Sequence, residues 1–140
     1  MAMVSVFRHC AILVFLFTAL VGCDPRAEEI IVIELNDSHD ACEAVQWELS
    51  STLKDLGFTK MKNNPSEYLS SEKYTKEVER EGGRATTIGV AIDYDSGRRM
   101  IRFHLMQAIC RSLSPEARSA VEALEKRLNN SGKVKSIRVE

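Results

Sequence analysis

Ile88-Gly89-Val90-Ala91-Ile92-Asp93-Tyr94-Asp95-Ser96-Gly97-Arg98-Arg99-Met100-Ile101-Arg102-Phe103-His104-Leu105 decides the fold class. Ile88, Val90 and Ile92 alternate with smaller or polar residues. After the turn residues Asp95-Ser96-Gly97 the alternation resumes at Ile101, Phe103 and Leu105. A period of two around a turn predicts an antiparallel hairpin with one buried face. A four-residue loop over 94–97 sets Ile88 opposite Phe103 and Val90 opposite Ile101, whereas a three-residue loop sets Ile88 against His104. The apolar pattern favours the former, which also faces Asp93 with Arg98 and leaves Thr87, Gly89, Ala91, Met100, Arg102 and His104 on the second face.

Toward the C-terminus, Ser114-Pro115-Glu116 supplies an N-cap, a first-turn proline and an early acid. Ala117, Ala120, Val121, Leu124 and Leu128 then continue at helical spacing to Asn130-Ser131-Gly132. Val134, Ile137 and Val139 predict an edge strand over 133–140, its lysines discouraging further pairing. Toward the N-terminus, Gly82-Gly83 and Asn63-Asn64-Pro65-Ser66 mark turns, and between them Tyr74, Lys76 and Val78 permit either a twisted edge strand, the favoured reading, or a short charged helix. Residues 58–62 read as a short strand leaving a helix. That helix carries Cys42, Val45, Leu49, Thr52, Leu53 and Leu56 on one stripe, is capped by Asn36-Asp37-Ser38 and is stopped by Gly57. Ile30-Ile31-Val32-Ile33-Glu34-Leu35 is a buried strand. The expected fold is a two-layer α+β sandwich over residues 30–140, a mainly antiparallel sheet with two helices on one face in ferredoxin-like order. Fold order of this kind implies no activity.

Before the domain stands one positive charge at Arg8, then an uncharged apolar run from Cys10 to Val21, then Gly22-Cys23-Asp24-Pro25. The run is shorter than the roughly 20 residues of a transmembrane helix, and no stop-transfer charges follow it. Leu20-Val21-Gly22-Cys23 resembles the lipobox of bacterial lipoproteins. The resemblance implies a signal peptide over residues 1–22 cleaved after Gly22, a diacylglyceryl thioether on Cys23, a further acyl chain of the palmitate class on its amino group, and a lipidated tether over 23–29. Two or three chains, at about 0.8 kcal/mol per buried CH₂, hold a membrane firmly. In the Gram-negative form of the system, Asp24 directly after the cysteine resembles the signal retaining a lipoprotein at the periplasmic face of the inner membrane; the outer membrane is the alternative location.

Processing would leave 118 of the 140 residues, enough for one domain. Residues 1–22 hold Arg8 and no acid, so the chain's 19 basic and 20 acidic residues become 18 and 20, a balance of −2. Interspersed charge of this balance argues against a nucleic-acid partner. With Cys10 removed and Cys23 acylated, Cys42 and Cys110 remain, and an exported pair invites a disulfide stabilising the fold by about 4 kcal/mol in the chain-entropy model. Two separate buried thiols are the alternative.

No catalytic set is expected. Asp93-Tyr94-Asp95-Ser96-Gly97 begins like a calcium loop, but position six is Arg98 and position twelve His104, where glycine and an acid are needed. Cys42 with His39 or His104 lacks any signature of a thiol enzyme, zinc spacing is absent, and no G-x-S-x-G or phosphate loop occurs. No cofactor and no metal are called for. For binding, the candidates are Trp47, which lies nearly opposite the apolar stripe of its helix and is either covered by a later segment or exposed as an anchor, and a basic group of Arg98, Arg99 and Arg102 with His104. Lys133, Lys135 and Arg138 would extend the latter into a basic surface for anionic headgroups or an acidic partner, and an ordinary solvated sheet face is the favoured alternative. A non-enzymatic, lipid-anchored envelope protein that binds another protein, as accessory subunit or inhibitor, is the expectation. An immunity lipoprotein against a periplasm-acting toxin and a small envelope hydrolase are the alternatives.

Overall fold

In the computed structural model, residues 26–62, 72–79, 83–108, 110 and 112–140 are described; the expected signal peptide over 1–22, Gly22, Cys23, Asp24, the turn expected at 63–66 and Gly82 lie outside them. The elements in order are β1 (Arg26–Leu35), α1 (Ala41–Asp55), β2 (Thr59–Lys60), β3 (Glu72–Glu79), β4 (Ala85–Asp95), β5 (Met100–Ala108), α2 (Pro115–Asn130) and β6 (Val134–Val139). They build one antiparallel sheet of order β2-β3-β4-β5-β1-β6. Without the β2–β3 pair, the order β4-β5-β1-β6 with helices after β1 and β5 is a ferredoxin-like sandwich, so the expected α+β class holds.

Strand periodicity sorts the two faces. Ile31, Ile33 and Leu35, Tyr74 and Val78, Ile88, Val90 and Ile92, and Ile101, Phe103 and Leu105 form the buried face. Against them pack Val45, Leu49 and Leu53 of α1 and Ala117, Ala120, Val121, Leu124 and Leu128 of α2. The opposite face carries Thr87, Gly89, Ala91, Met100, Arg102 and His104, as the alternation predicts. The helix ends also follow local chemistry. Ser114 accepts from the Ala117 amide at 3.2 Å. At the end of α1, Gly57 takes φ 85° while its amide bonds Lys54 O and the Phe58 amide bonds Leu53 O, a Schellman closure with Phe58 and Leu53 both buried.

Several expectations change. β1 begins at Arg26, so residues 26–29 belong to the sheet and not to a tether, because β5 is long enough to pair with them as far as Ala108. β2 is only two residues, and β3 is an inner strand between β2 and β4. Asp40, not the 36–38 segment, occupies the N-cap of α1, and it makes no side-chain cap bond; Asn36 Oδ1 instead accepts the Ser38 amide at 3.0 Å.

The β4–β5 hairpin is offset from its expected register. Ile88 pairs with Gln107, Val90 with Leu105, Ile92 with Phe103, and Asp93 with Arg102 rather than Arg98. Both strands run on to Asp95 and Met100 and the loop is 96–99, because Asp95 Oδ1 accepts the Arg98 amide at 3.0 Å and Arg99 turns left-handed at φ 52°. An even slip leaves every side chain on its original face, so apolar alternation alone cannot separate these registers. Arg99 adds a long-range constraint: its carbonyl accepts the Leu35 amide at 2.9 Å, and its guanidinium donates to Asn36 O and Ser38 O.

Candidate functional site

Helix α1 turns Ala41, Val45, Leu49, Thr52 and Leu53 inward. At 100° per residue Trp47 falls on the far side of that stripe, and it is 67% exposed; no described segment folds over it. It borders a groove of about 420 Å³ between α1 and the turn from α2 to β6, lined by Asp40, Glu43, Ala44, Trp47, Glu48, Ser131 and Lys133. Ala44, one helical turn before Trp47, leaves the space beside the indole open.

One end of the groove is closed by an ion pair. Lys133 Nζ donates to both Asp40 carboxylate oxygens at 2.8 and 2.9 Å and approaches Ser38 Oγ at 3.4 Å. The Lys133 hydrogen bond holds the Asp40 carboxyl below its ordinary pKa. Among the described residues no cation pairs with Glu43 or Glu48. The groove therefore presents an exposed indole beside two unpaired carboxylates.

Most of the candidate basic residues have local partners. Arg98 sits on the hairpin turn 3.7 Å from Asp95, Lys135 bonds Glu34 at 2.8 Å, Arg138 lies 3.9 Å from Glu140, and Lys133 serves Asp40. Arg99 is turned onto the loop between β1 and α1. Arg102 and Arg138 stay on the open sheet face, both in register with Val32, and Arg102 is also in register with Asp93. Acids beside Arg98, Lys133, Lys135 and Arg138 thus offset much of the charge of those residues.

His104 also lies on the open face, where its Nε2 meets Glu28 Oε1. Cys42 packs on the helix side, so the sheet separates the two and no Cys–His pair is built. Nor is there a disulfide: Cys42 and Cys110 are free thiols. Cys42 lies near Tyr94, which pairs with Ile101 at the turn end of β5, while Cys110 follows Ala108 at the other end. At about 3.3 Å per residue those ends are roughly 23 Å apart, against the limit of about 7 Å between bridged Cα atoms.

Sequence reasoning missed a polar cluster between α1 and the β2–β3 hairpin. Glu72 accepts from Lys60 Nζ at 3.1 Å, Gln46 Nε2 at 3.2 Å and Tyr74 OH at 3.0 Å, with Tyr94 OH at 3.5 Å and Ser50 Oγ at 2.9 Å from Tyr74 OH. Burial pushes the Glu72 carboxyl up, but the hydrogen bonds and the Lys60 charge prevail and its pKa is lowered. Burial first, and the Glu72 charge with it, raises both tyrosines. The result is a satisfied carboxylate beside two protonated phenols, a clasp without a nucleophile. Its signal in the sequence is two tyrosines at inward strand positions, whose hydroxyls must find partners.

A second groove, of about 600 Å³, runs along residues 26–29 beside Leu113, Arg118, Val121 and Glu122. Its charges are of both signs and it gathers no reactive set. Among the described residues no group of three or more metal-ligating side chains occurs, and no helix is long and apolar enough to cross a membrane.

No family model matches the chain, and no curated protein matches it. Among solved structures, the 1.9 Å crystal structure of the Saccharomyces cerevisiae Ran-binding protein Mog1p is 15% identical, covering 79% of this chain and 67% of its own with a TM-score of 0.33. A point mutant of protein Mog1 is 14% identical over the same shares with a TM-score of 0.33.

Proposed function

We propose that the chain is a lipid-anchored bacterial envelope protein whose α+β domain is a non-enzymatic module that binds another protein through the Trp47 groove. The exposed indole carries this reading: an aromatic left in water on a helix whose other face is fully used is the kind of anchor that protein interfaces bury. The scattered placement of His104, Cys42 and Glu72, each with a structural partner or on a different side of the sheet, supports binding over hydrolysis.

The anchor rests on Leu20-Val21-Gly22-Cys23. With β1 starting at Arg26, only Asp24 and Pro25 would separate the acylated residue from the sheet, which would hold the domain close to the bilayer. β1 then leads away for about 30 Å at 3.3 Å per residue. Lys133 and Asp40, at one end of the groove, lie by the far end of β1, where Val134 pairs with Leu35. The groove would accordingly face the aqueous side, as an accessory subunit or an inhibitor of an arriving toxin requires.

Cys23→Ser tests the anchor: fatty-acid labelling should disappear and the protein should leave the membrane fraction, and unchanged labelling would refute it. Trp47→Ala in the acylated protein tests the site: a partner copurifying with the native protein should be lost while the circular dichroism spectrum is kept.

A further inference from the structure

We infer that the Trp47 groove receives a cationic side chain of the partner, a guanidinium or an ammonium, laid over the indole between the carboxylates of Glu43 and Glu48. This deepens the binding reading above and rests on it. Three observations converge. The indole face is exposed and has a small neighbour, Ala44, that leaves room beside it. Glu43 lies one turn before Trp47 on α1, and Glu48 follows it directly; both line the groove and neither has a cation among the described residues. The third acid, Asp40, is neutralised by Lys133, so the unpaired charge is concentrated at the tryptophan.

Charge complementarity selects the occupant. The negative face of an indole attracts cations, tryptophan more strongly than the other aromatics, and two flanking carboxylates add to that attraction. An acidic partner would be repelled. A wholly apolar one would cover Glu43 and Glu48 without compensating their lost hydration. Anionic lipid headgroups carry the wrong sign and would lie at the opposite end of β1.

Trp47 is the only tryptophan in the chain, so intrinsic fluorescence reports on this groove alone. The acylated protein in neutral detergent is titrated with hexa-arginine, acetylated and amidated, and separately with hexa-glutamate. Hexa-arginine should give a saturable change in Trp47 emission and hexa-glutamate none. The double variant Glu43→Gln/Glu48→Gln should bind roughly tenfold more weakly, as should the native protein when salt rises from about 0.05 to 0.5 M. Glu116→Gln/Glu122→Gln, the same charge change on α2 away from the groove, should bind like the native protein. Equal responses to both peptides, no response, or undiminished binding in the Glu43/Glu48 variant overturns the inference. If hexa-arginine fails while partner copurification still depends on Trp47, the cationic occupant falls and the binding reading stands; if copurification is also indifferent to Trp47, both fall.

Discussion

Replacing Arg99 should separate a side-chain clamp from a backbone strain at one position. Its Nε donates to Asn36 O at 3.0 Å and its Nη2 to Asn36 O and to Ser38 O, the latter at 2.6 Å, while its own backbone stands at φ 52°. Hydrogen bonds from a charged donor contribute about 1.5–3 kcal/mol each. Because the loop between β1 and α1 is partly exposed, water can replace some of them, and Arg99→Ala is expected to lose about 2–3 kcal/mol. Arg99→Gly loses the same contacts but relieves the left-handed strain, recovering about 0.5–1 kcal/mol. With a urea m-value of about 1.5 kcal/mol/M, the midpoint should fall by about 1.3–2 M for alanine and by about 0.3–0.7 M less for glycine, with m unchanged. Both variants should also weaken the response of Trp47 to hexa-arginine, since the clamped loop leads into Asp40 and the start of α1. An alanine variant within 0.3 M of the native midpoint, or a glycine variant no more stable than alanine, would show that the clamp or the strain has been misread.

Glu72→Gln should lower stability by about 1 kcal/mol at pH 7 through its weakened bonds to Lys60, Gln46 and Tyr74. The folded pKa of Glu72 is below its ordinary value of 4.5, so the charge-dependent stabilisation is present above that pH and is lost as pH falls through the folded pKa. Denaturant unfolding at pH 7 and pH 3 should therefore find the gap between native and variant narrowed in acid, and a gap that widens contradicts the direction. Thiol titration of the unfolded, acylated protein should count two free cysteines, Cys42 and Cys110, because they stand at opposite ends of the sheet; a Cys42–Cys110 peptide in non-reducing mass spectrometry would overturn that placement.

Trp47 was legible as a candidate because a helix period places it opposite Val45, Leu49 and Leu53, but its exposure was not. Whether some other segment covers a helix's outer face depends on the whole chain path. The basic candidates were misleading for a related reason. Arg98, Arg99 and Lys133 look like free charges in sequence, yet their partners Asp95, the Asn36 and Ser38 carbonyls, and Asp40 are supplied by turn geometry and by segments up to 93 residues away.

By itself the sequence determined the α+β class, the face on which each residue of the β4–β5 hairpin lies, the start of α2 at Ser114-Pro115 and the stop of α1 at Gly57. Those features are fixed by neighbours a few positions apart, through periods of two and 3.6 and through capping chemistry. Tertiary structure alone decided that Ile88 meets Gln107, that Cys42 and Cys110 stand apart, and that Lys133 neutralises Asp40 to leave Glu43 and Glu48 beside the indole. Each of these depends on how far one strand slides along another or on which loop reaches which helix end, and slips of two residues preserve every local pattern while moving every long-range partner.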